Sequence, residues 1–276
     1  MNAETPLVLA FDDERCTRPE LAGGKGASLA RMTRAGLTVP PGFVITSVAF
    51  AGAVDIETLR AHVRAGDMIA ARDHVRAAPH PRKQIAERYA TLADTPVAVR
   101  SSACAEDSVT ASYAGQQETF LDVVGLERVL AAVTDCWRSF FSDRAVFYRR
   151  EKGSLDDLAM AVVVQRMIDA RTSGVMFTAD PVHDRRDRVV VEAARGLGER
   201  VVSGEVTPDY YRMDRSGNVK QRRVVDEQVL TDAQLADLTR LGLHLAHLYG
   251  CPQDIEWAFD DAQRLYLLQA RPVTTM

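Results

Sequence analysis

The chain has 276 residues, 46% of them hydrophobic and 26% charged, with a formal net charge of −4. Those proportions fit an ordinary soluble globular protein, and the slight acidity removes any electrostatic case for nucleic acid or an anionic membrane as partner. No run approaches the eighteen or so apolar residues that a membrane-spanning helix needs. The first fourteen residues carry four acids and no basic residue, which argues against a signal peptide. Cys16, Cys104, Cys136 and Cys251 are widely spaced without a CxxC pair, as expected of reduced thiols in a cytoplasmic protein.

In chain order, Gly23-Gly24-Lys25-Gly26-Ala27-Ser28 opens a helical segment with Leu29 and Met32 on one side, ending near Gly36. Thr38-Val39-Pro40-Pro41-Gly42 is a turn before the short strand Phe43-Val44-Ile45. Ile56, Leu59, Val63 and Ile69 predict helices broken at Gly66. The run Arg82 to Arg88 contains Ile85 and Glu87 and reads as a solvated helix face. Val97 to Arg100 is a strand leading into Ser101-Ser102, Glu118 to Val124 alternates as another, and Val129 to Tyr148 is strongly helical. The second half is richer in strands: Met160 to Met167, Gly174 to Thr178, Val189 to Ala193 and Asp209 to Met213. A helix from Leu230 to Tyr249 stops at Gly250. This distribution predicts an α+β fold of two lobes, residues 1–167 and 168–276, with a hinge near Arg166 to Ala170.

The last elements carry the most chemistry. Gln253-Asp254-Ile255-Glu256-Trp257-Ala258 and Leu265 to Pro272 flank Asp260-Asp261-Ala262-Gln263 and read as a β-hairpin. Its register places Glu256 across from, or diagonal to, Gln269. Gln269 and Arg271, two apart, share a strand face. A carboxylate, an amide oxygen and a guanidinium on one wall suit a magnesium ion and the phosphates it bridges; a surface hairpin with ordinary polar residues is the plainer alternative. Gly23-Gly24-Lys25-Gly26 offers amides and an ammonium at a helix entry, either an anion site or simply a flexible start. It lacks the spacing of a P-loop, since no Ser or Thr follows Lys25. Arg100, beside Ser101 and Ser102, suits phosphate or an ion pair with Glu106 or Asp107. Gly196-Leu197-Gly198-Glu199 and Val202-Ser203-Gly204 could be turns alone.

Taken in order, GGKG, VPPGFVIT, VRSSACAEDS, SYAGQQETFLDV, VVVQRMI, SGVMFTADP, GLGERVVSGEVTPDYY, QDIEWAF and LLQARP resemble the ATP-binding domain shared by phosphoenolpyruvate synthases, pyruvate phosphate dikinases and rifampin phosphotransferases. The resemblance runs from about Leu21 to Val273. It implies an ATP-grasp fold, with ATP and Mg²⁺ between two α+β lobes. It implies that Lys25 and Arg100 contact the nucleotide phosphates, that Glu256 and Gln269 ligate metal, and that Arg271 lies on the phosphates. Gln165 and Met167 would contact the base, and Gly115 with Gln116 would belong to the phosphate-covering loop. Cationic side chains and metal ligands supply the positioning and charge neutralisation that phosphoryl transfer requires.

Complete enzymes of that family carry a swivelling domain with a phosphoacceptor histidine, plus a substrate domain. None of His62, His74, His80, His183, His244 and His247 sits in the family's Ser-His-Ala type of motif. The Ala51 to Thr95 segment also looks shorter than is usual in the family. The implied function is the ATP-binding unit of a dikinase-type phosphotransferase. It would pass phosphate from ATP, leaving AMP, to a histidine on a separate or missing swivel domain and on to a small-molecule acceptor. The alternatives are a self-contained ATP-grasp kinase or ligase and a non-catalytic ATP-binding regulatory module.

Overall fold

The computed structural model describes residues 6–104, 118–143, 145–147, 158–183 and 185–273. Packing divides the chain into two units: residues 1–36 with 41–167, and residues 37–40 with 168–276.

The first unit is built on an antiparallel sheet ordered β1 (Val8–Ala10), β2 (Gly42–Ile45), β5 (Met160–Arg166), β3 (Val97–Ala103) and β4 (Thr119–Val123). Alternation gives each strand two faces. Phe43, Ile45, Val97, Val99, Val162 and Val164 share one buried core with the helices α2 (Ser47–Ala53), α3 (Ile56–Ala65), α4 (Met68–Arg76), α5 (Arg82–Ala90) and α6 (Leu126–Ser139). Helix α1 (Pro19–Arg34) packs on β2, β3 and β5. Gly66 is left-handed (φ 76°) and closes α3, and Asp67 caps α4 by accepting from the Ala70 amide at 2.9 Å. Those two residues make the predicted break.

The helix expected from Val129 to Tyr148 is interrupted. It begins at Leu126 and ends at Ser139, and a new turn starts where the Ser142 hydroxyl accepts from the Ala145 amide at 3.3 Å. Apolar periodicity continues through Phe140 and Phe141, so hydrophobic pattern hid a break made by a local serine cap.

Trp137 of α6 is fully buried, edge-on to Phe50 and stacked on His80 at 5.4 Å between centroids. His80 Nε2 lies 2.8 Å from the Thr134 hydroxyl. Burial, and secondarily the Arg82 charge, hold this imidazole's pKa below its ordinary value. Its contribution to stability is therefore complete above the unfolded-state pKa, about 6.5, and is lost as pH falls through the lower folded value. His80→Gln should flatten the acid limb of a stability-versus-pH profile measured by urea denaturation from about pH 7 to 5. An unaltered limb would exclude His80 as its source.

The second unit holds a six-stranded antiparallel sheet ordered β11 (Leu265–Pro272), β10 (Gln253–Phe259), β6 (Thr172–Phe177), β7 (Arg188–Arg195), β8 (Asp209–Asp214) and β9 (Val219–Arg223). A one-turn helix, α7 (Glu199–Val202), precedes β8, and α8 (Asp232–Tyr249) covers one face. Ile255, Met176, Val191 and Tyr211 lie in line on that face and are fully buried. Gly242 lets α8 approach, since a Cβ there would meet Met176 Cε at 2.7 Å. A capping box starts α8: the Thr231 hydroxyl accepts from the Gln234 amide, and the Gln234 side chain accepts from the Thr231 amide at 2.8 Å. Such a cap stabilises by about 1 kcal/mol. Gly250 (φ 71°) ends the helix. No helix among the described residues is long and apolar enough to cross a membrane.

Candidate functional site

The residues predicted for the site fall into two groups, one in each unit, and each group is described within its own unit. In the first unit Gly23 interrupts α1 with φ 67° and ψ 174°. The Ser102 hydroxyl donates to the Ala22 carbonyl at 2.9 Å and accepts from the Gly26 amide at 3.2 Å. One β3 side chain thereby fastens both ends of the Gly23-Gly24-Lys25-Gly26 run. Arg100 stands two residues earlier on the same face of β3, half-buried, with Val163 and Thr119 as its strand partners. Gln165 shares that face of the neighbouring strand, paired with Ala98 and Gly42 and nearly fully buried. The Met167 amide donates to the Pro96 carbonyl at 2.9 Å. The sheet thus gathers Arg100, Gln165 and the Lys25 backbone on one side. Lys25 is half-buried, and its charge reaches the Cys136 thiol. Burial and the Glu118 carboxylate push that thiol's pKa up, and Lys25 opposes them. Gly115 and Gln116 lie outside the described residues.

In the second unit β10 and β11 form the predicted hairpin, with Glu256 directly opposite Gln269 and Asp254 opposite Arg271. A register shift after Glu256 pairs Trp257 with Leu267, so the polar row ends where the bulge begins. Arg271 Nε and Nη2 donate to Asp254 Oδ2 at 2.8 and 2.7 Å. The Asp254 pKa is raised by burial, lowered by Arg271 and raised again by the nearby Glu256 charge. Sequence reasoning omitted Asp254, although its place two residues before Glu256 puts it on the same strand face. The row continues across the sheet: Glu256 pairs with Val175, Val175 with Glu192, and Glu192 with Tyr210. Tyr210's pKa is raised by burial and by the Asp180 and Glu192 charges, against Arg212 and Arg223.

Glu256 and Gln269 offer oxygen donors of the kind a hard divalent cation takes. Among the described residues no cluster of three or more His, Cys, Asp or Glu could hold a metal by itself. A magnesium ion on this pair would take further ligands from water and phosphate, as Mg²⁺ commonly does.

Arg271 has a structural duty as well. Arg271→Ala should cost about 1–3 kcal/mol of stability by stranding the largely buried Asp254 carboxylate, whereas Arg240→Ala, which breaks an exposed pair with Asp237, should leave the urea midpoint nearly unchanged. Equal midpoints for the two variants would argue against the Asp254 pairing.

The family model described as the pyruvate phosphate dikinase AMP/ATP-binding domain matches residues 19–229 and 214–276. A probable phosphoenolpyruvate synthase of Methanocaldococcus jannaschii is 38% identical over 97% of the chain and 27% of its own length. The rifampicin phosphotransferase of a Streptomyces species is 39% identical over 98% of the chain and 36% of its own length. The prodigiosin synthesizing transferase PigC of Serratia marcescens is 37% identical, covering 98% and 33% respectively. The chain therefore spans about a quarter to a third of these relatives. Among solved structures, a Campylobacter jejuni biotin carboxylase is 13% identical with a TM-score of 0.41, covering 93% of this chain and 41% of that one.

Proposed function

The chain belongs to the pyruvate phosphate dikinase AMP/ATP-binding domain family, and from that premise we propose that it is the ATP-binding unit of a dikinase-type phosphotransferase. The observation that carries the reading is the β10–β11 wall, with Glu256 facing Gln269 and Arg271 one row along. In this reading Glu256 and Gln269 hold Mg²⁺, which supplies charge neutralisation at the phosphates when bound. Lys25, Arg100 and Arg271 bind and orient the phosphate chain, each adding charge where the leaving oxygens develop it. Gln165 and Met167 lie against the base. The α–β anhydride of ATP breaks and AMP leaves. The β-phosphate passes to a histidine on a swivel domain, and the γ-phosphate is lost by hydrolysis as inorganic phosphate. The β-phosphate then goes to a small molecule, whose identity that further domain selects.

Calorimetry with MgATP tests the assignment. Glu256→Ala should weaken the metal-dependent part of binding, and Lys25→Ala the phosphate part, each by about 1.5–3 kcal/mol. Undiminished binding in both variants would remove these residues from the site. The transfer step is tested with ATP labelled at the β-phosphate and a histidine swivel protein in trans. AMP should accumulate while an acid-labile, base-stable label appears on the partner. Phosphorylation of a small molecule by this chain alone, yielding ADP, would replace the dikinase reading with a direct kinase.

A further inference from the structure

Arg212 of β8 and Arg223 of β9 have no carboxylate partner among the described residues. The other basic side chains on the strands of this sheet are each paired with one, as Arg222 is with Asp232 and Lys220 with Asp214. Tyr211 is fully buried on the α8 face, so Tyr210 and Arg212, which alternate with it, lie on the opposite face. Arg223 pairs with Tyr210 and holds its guanidinium 5.7 Å from the centre of that ring. Arg212 pairs with Gln221, which makes the two arginines diagonal neighbours with Cβ atoms roughly 7–8 Å apart. That spacing lets two guanidinium forks close on one tetrahedral anion. The Arg212 Nε is buried with no acceptor among the described residues, a condition that folded chains ordinarily avoid. Arg60 and Arg138 share it at Nε, but Glu57 and Asp135 engage their terminal nitrogens. Tyr210's pKa, raised first by burial and then by the Asp180 charge, is pulled back by both guanidinium charges. Glu192 faces Tyr210 from β7 and lies diagonal to Arg212, yet no ion pair joins it to either arginine among the described residues. Tyr210 and Arg223 end the cross-strand row that begins at Gln269 and Glu256, and Arg212 stands in the row of Asp254 and Arg271. Three strand spacings, roughly 14 Å, separate Arg212 from Asp254. The arginine pair is therefore a second place for an anion on the face that carries the metal wall.

We propose that Arg212 and Arg223, with the Tyr210 hydroxyl, form an exit subsite for inorganic phosphate, the product of γ-phosphate hydrolysis. The inference rests on the reading that MgATP occupies the β10–β11 wall. A phosphate dianion offers enough acceptor oxygens for two forked guanidinium contacts and one phenol donor. Glu192 stands between Tyr210 and the Glu256 strand in the cross-strand row. Its negative charge opposes the return of a released dianion toward the wall. Product held at the arginines leaves the metal wall clear while AMP and the phosphorylated partner depart.

Calorimetry of the full chain with inorganic phosphate, alone and with Mg²⁺ and the β,γ-imido analogue of ATP at saturation, tests the subsite. Wild-type chain should bind phosphate in both conditions, and sulfate should compete for it. Arg212→Met, which keeps the aliphatic stem but no donor, should weaken phosphate about 10-fold or more and leave the analogue's affinity nearly unchanged. Arg223→Met should weaken phosphate in the same direction. Lys25→Ala should do the reverse, weakening the analogue and sparing phosphate. The urea midpoint of Arg212→Met should not fall, because the side chain has no partner to lose, and this separates lost binding from misfolding. If wild-type chain binds the analogue but not phosphate, or if phosphate binding survives Arg212→Met, the proposal is overturned while the ATP reading stands. Displacement of phosphate by the analogue, or equal weakening of both ligands by Arg212→Met, would place Arg212 on the nucleotide's terminal phosphate and overturn the exit subsite. If phosphate binds through Arg212 while no nucleotide binds, the subsite stands and the ATP reading falls.

Discussion

Gly23→Ala is expected to cost roughly 3–5 kcal/mol of stability and to weaken MgATP binding with it. Gly23 occupies φ 67°, ψ 174°, a region that only glycine visits without strain, at about 1–3 kcal/mol for any other residue. Space is denied as well. A Cβ would stand 2.2 Å from Ser102 Oγ and 2.3 Å from the Ser102 carbonyl oxygen. Relief requires moving either β3 or the glycine run, and Ser102 holds both ends of that run. Either movement displaces Lys25 from the Arg100 face, so stability and affinity should fall together. Gly36→Ala is the control. Gly36 also has positive φ, 76°, but nothing lies within 4 Å of its Cβ position, so it should lose only the roughly 1–2 kcal/mol of left-handed strain. Equal urea midpoints for the two variants would show that the Ser102 contact costs nothing.

The second large effect is expected at Gly174→Ala, about 3 kcal/mol or more. Gly174 pairs with Ala193 on one side and Trp257 on the other. A Cβ there would come within 1.9 Å of the Glu192 carbonyl oxygen. That oxygen belongs to the sheet backbone and cannot swing away as a side chain would. The substitution must separate β6 from β7 or shift their register, and a one-residue slip would turn Glu192 to the α8 face. Gly198→Ala serves as its control. The nearest atom there is Ser173 Oγ at 3.5 Å, an ordinary contact, and the loss should stay below about 1 kcal/mol. Thermal unfolding of both variants decides the matter. A Gly174→Ala protein as stable as Gly198→Ala would mean the sheet tolerates a wider β6–β7 spacing than its backbone geometry allows.

Much of the β10–β11 hairpin was legible because two period-2 runs flank a short polar turn, which makes Glu256 and Gln269 neighbours by geometry alone. The turn itself uses Gln263 at φ 61° and the Asp260 carboxylate, which accepts from the Arg264 amide at 2.8 Å. The helix break at Gly66 and the stop at Gly250 were legible for a similar reason: both glycines take left-handed caps. Less was visible where tertiary contact overrides local pattern. GGKG was read as the start of a helix, whereas α1 begins at Pro19 and is kinked by the contact with Ser102, a residue 79 positions from Gly23. The exposed edge strand β9, Val-Lys-Gln-Arg-Arg, has no apolar face to announce it. The Asp254–Arg271 pair needed the register. A carboxylate's partner is set by folding, so that pair could not be read from spacing alone.

The short segment Leu37–Pro40 has a consequence for the order in which the molecule is assembled. It precedes most of the first unit in the chain, yet it packs with the second, and the Thr38 carbonyl accepts from the Leu267 amide at 2.9 Å. β11 is the outermost strand of its sheet, so this early segment covers an edge that would otherwise offer bare amides to other molecules. During synthesis, Thr38 emerges 229 residues before its partner (267 minus 38) and must wait until nearly all of the chain described here has been made. Closing so long a loop is a late, slow event. A ribosome-bound chain would therefore expose an unshielded strand edge just when the wall of Glu256, Gln269 and Arg271 is being completed.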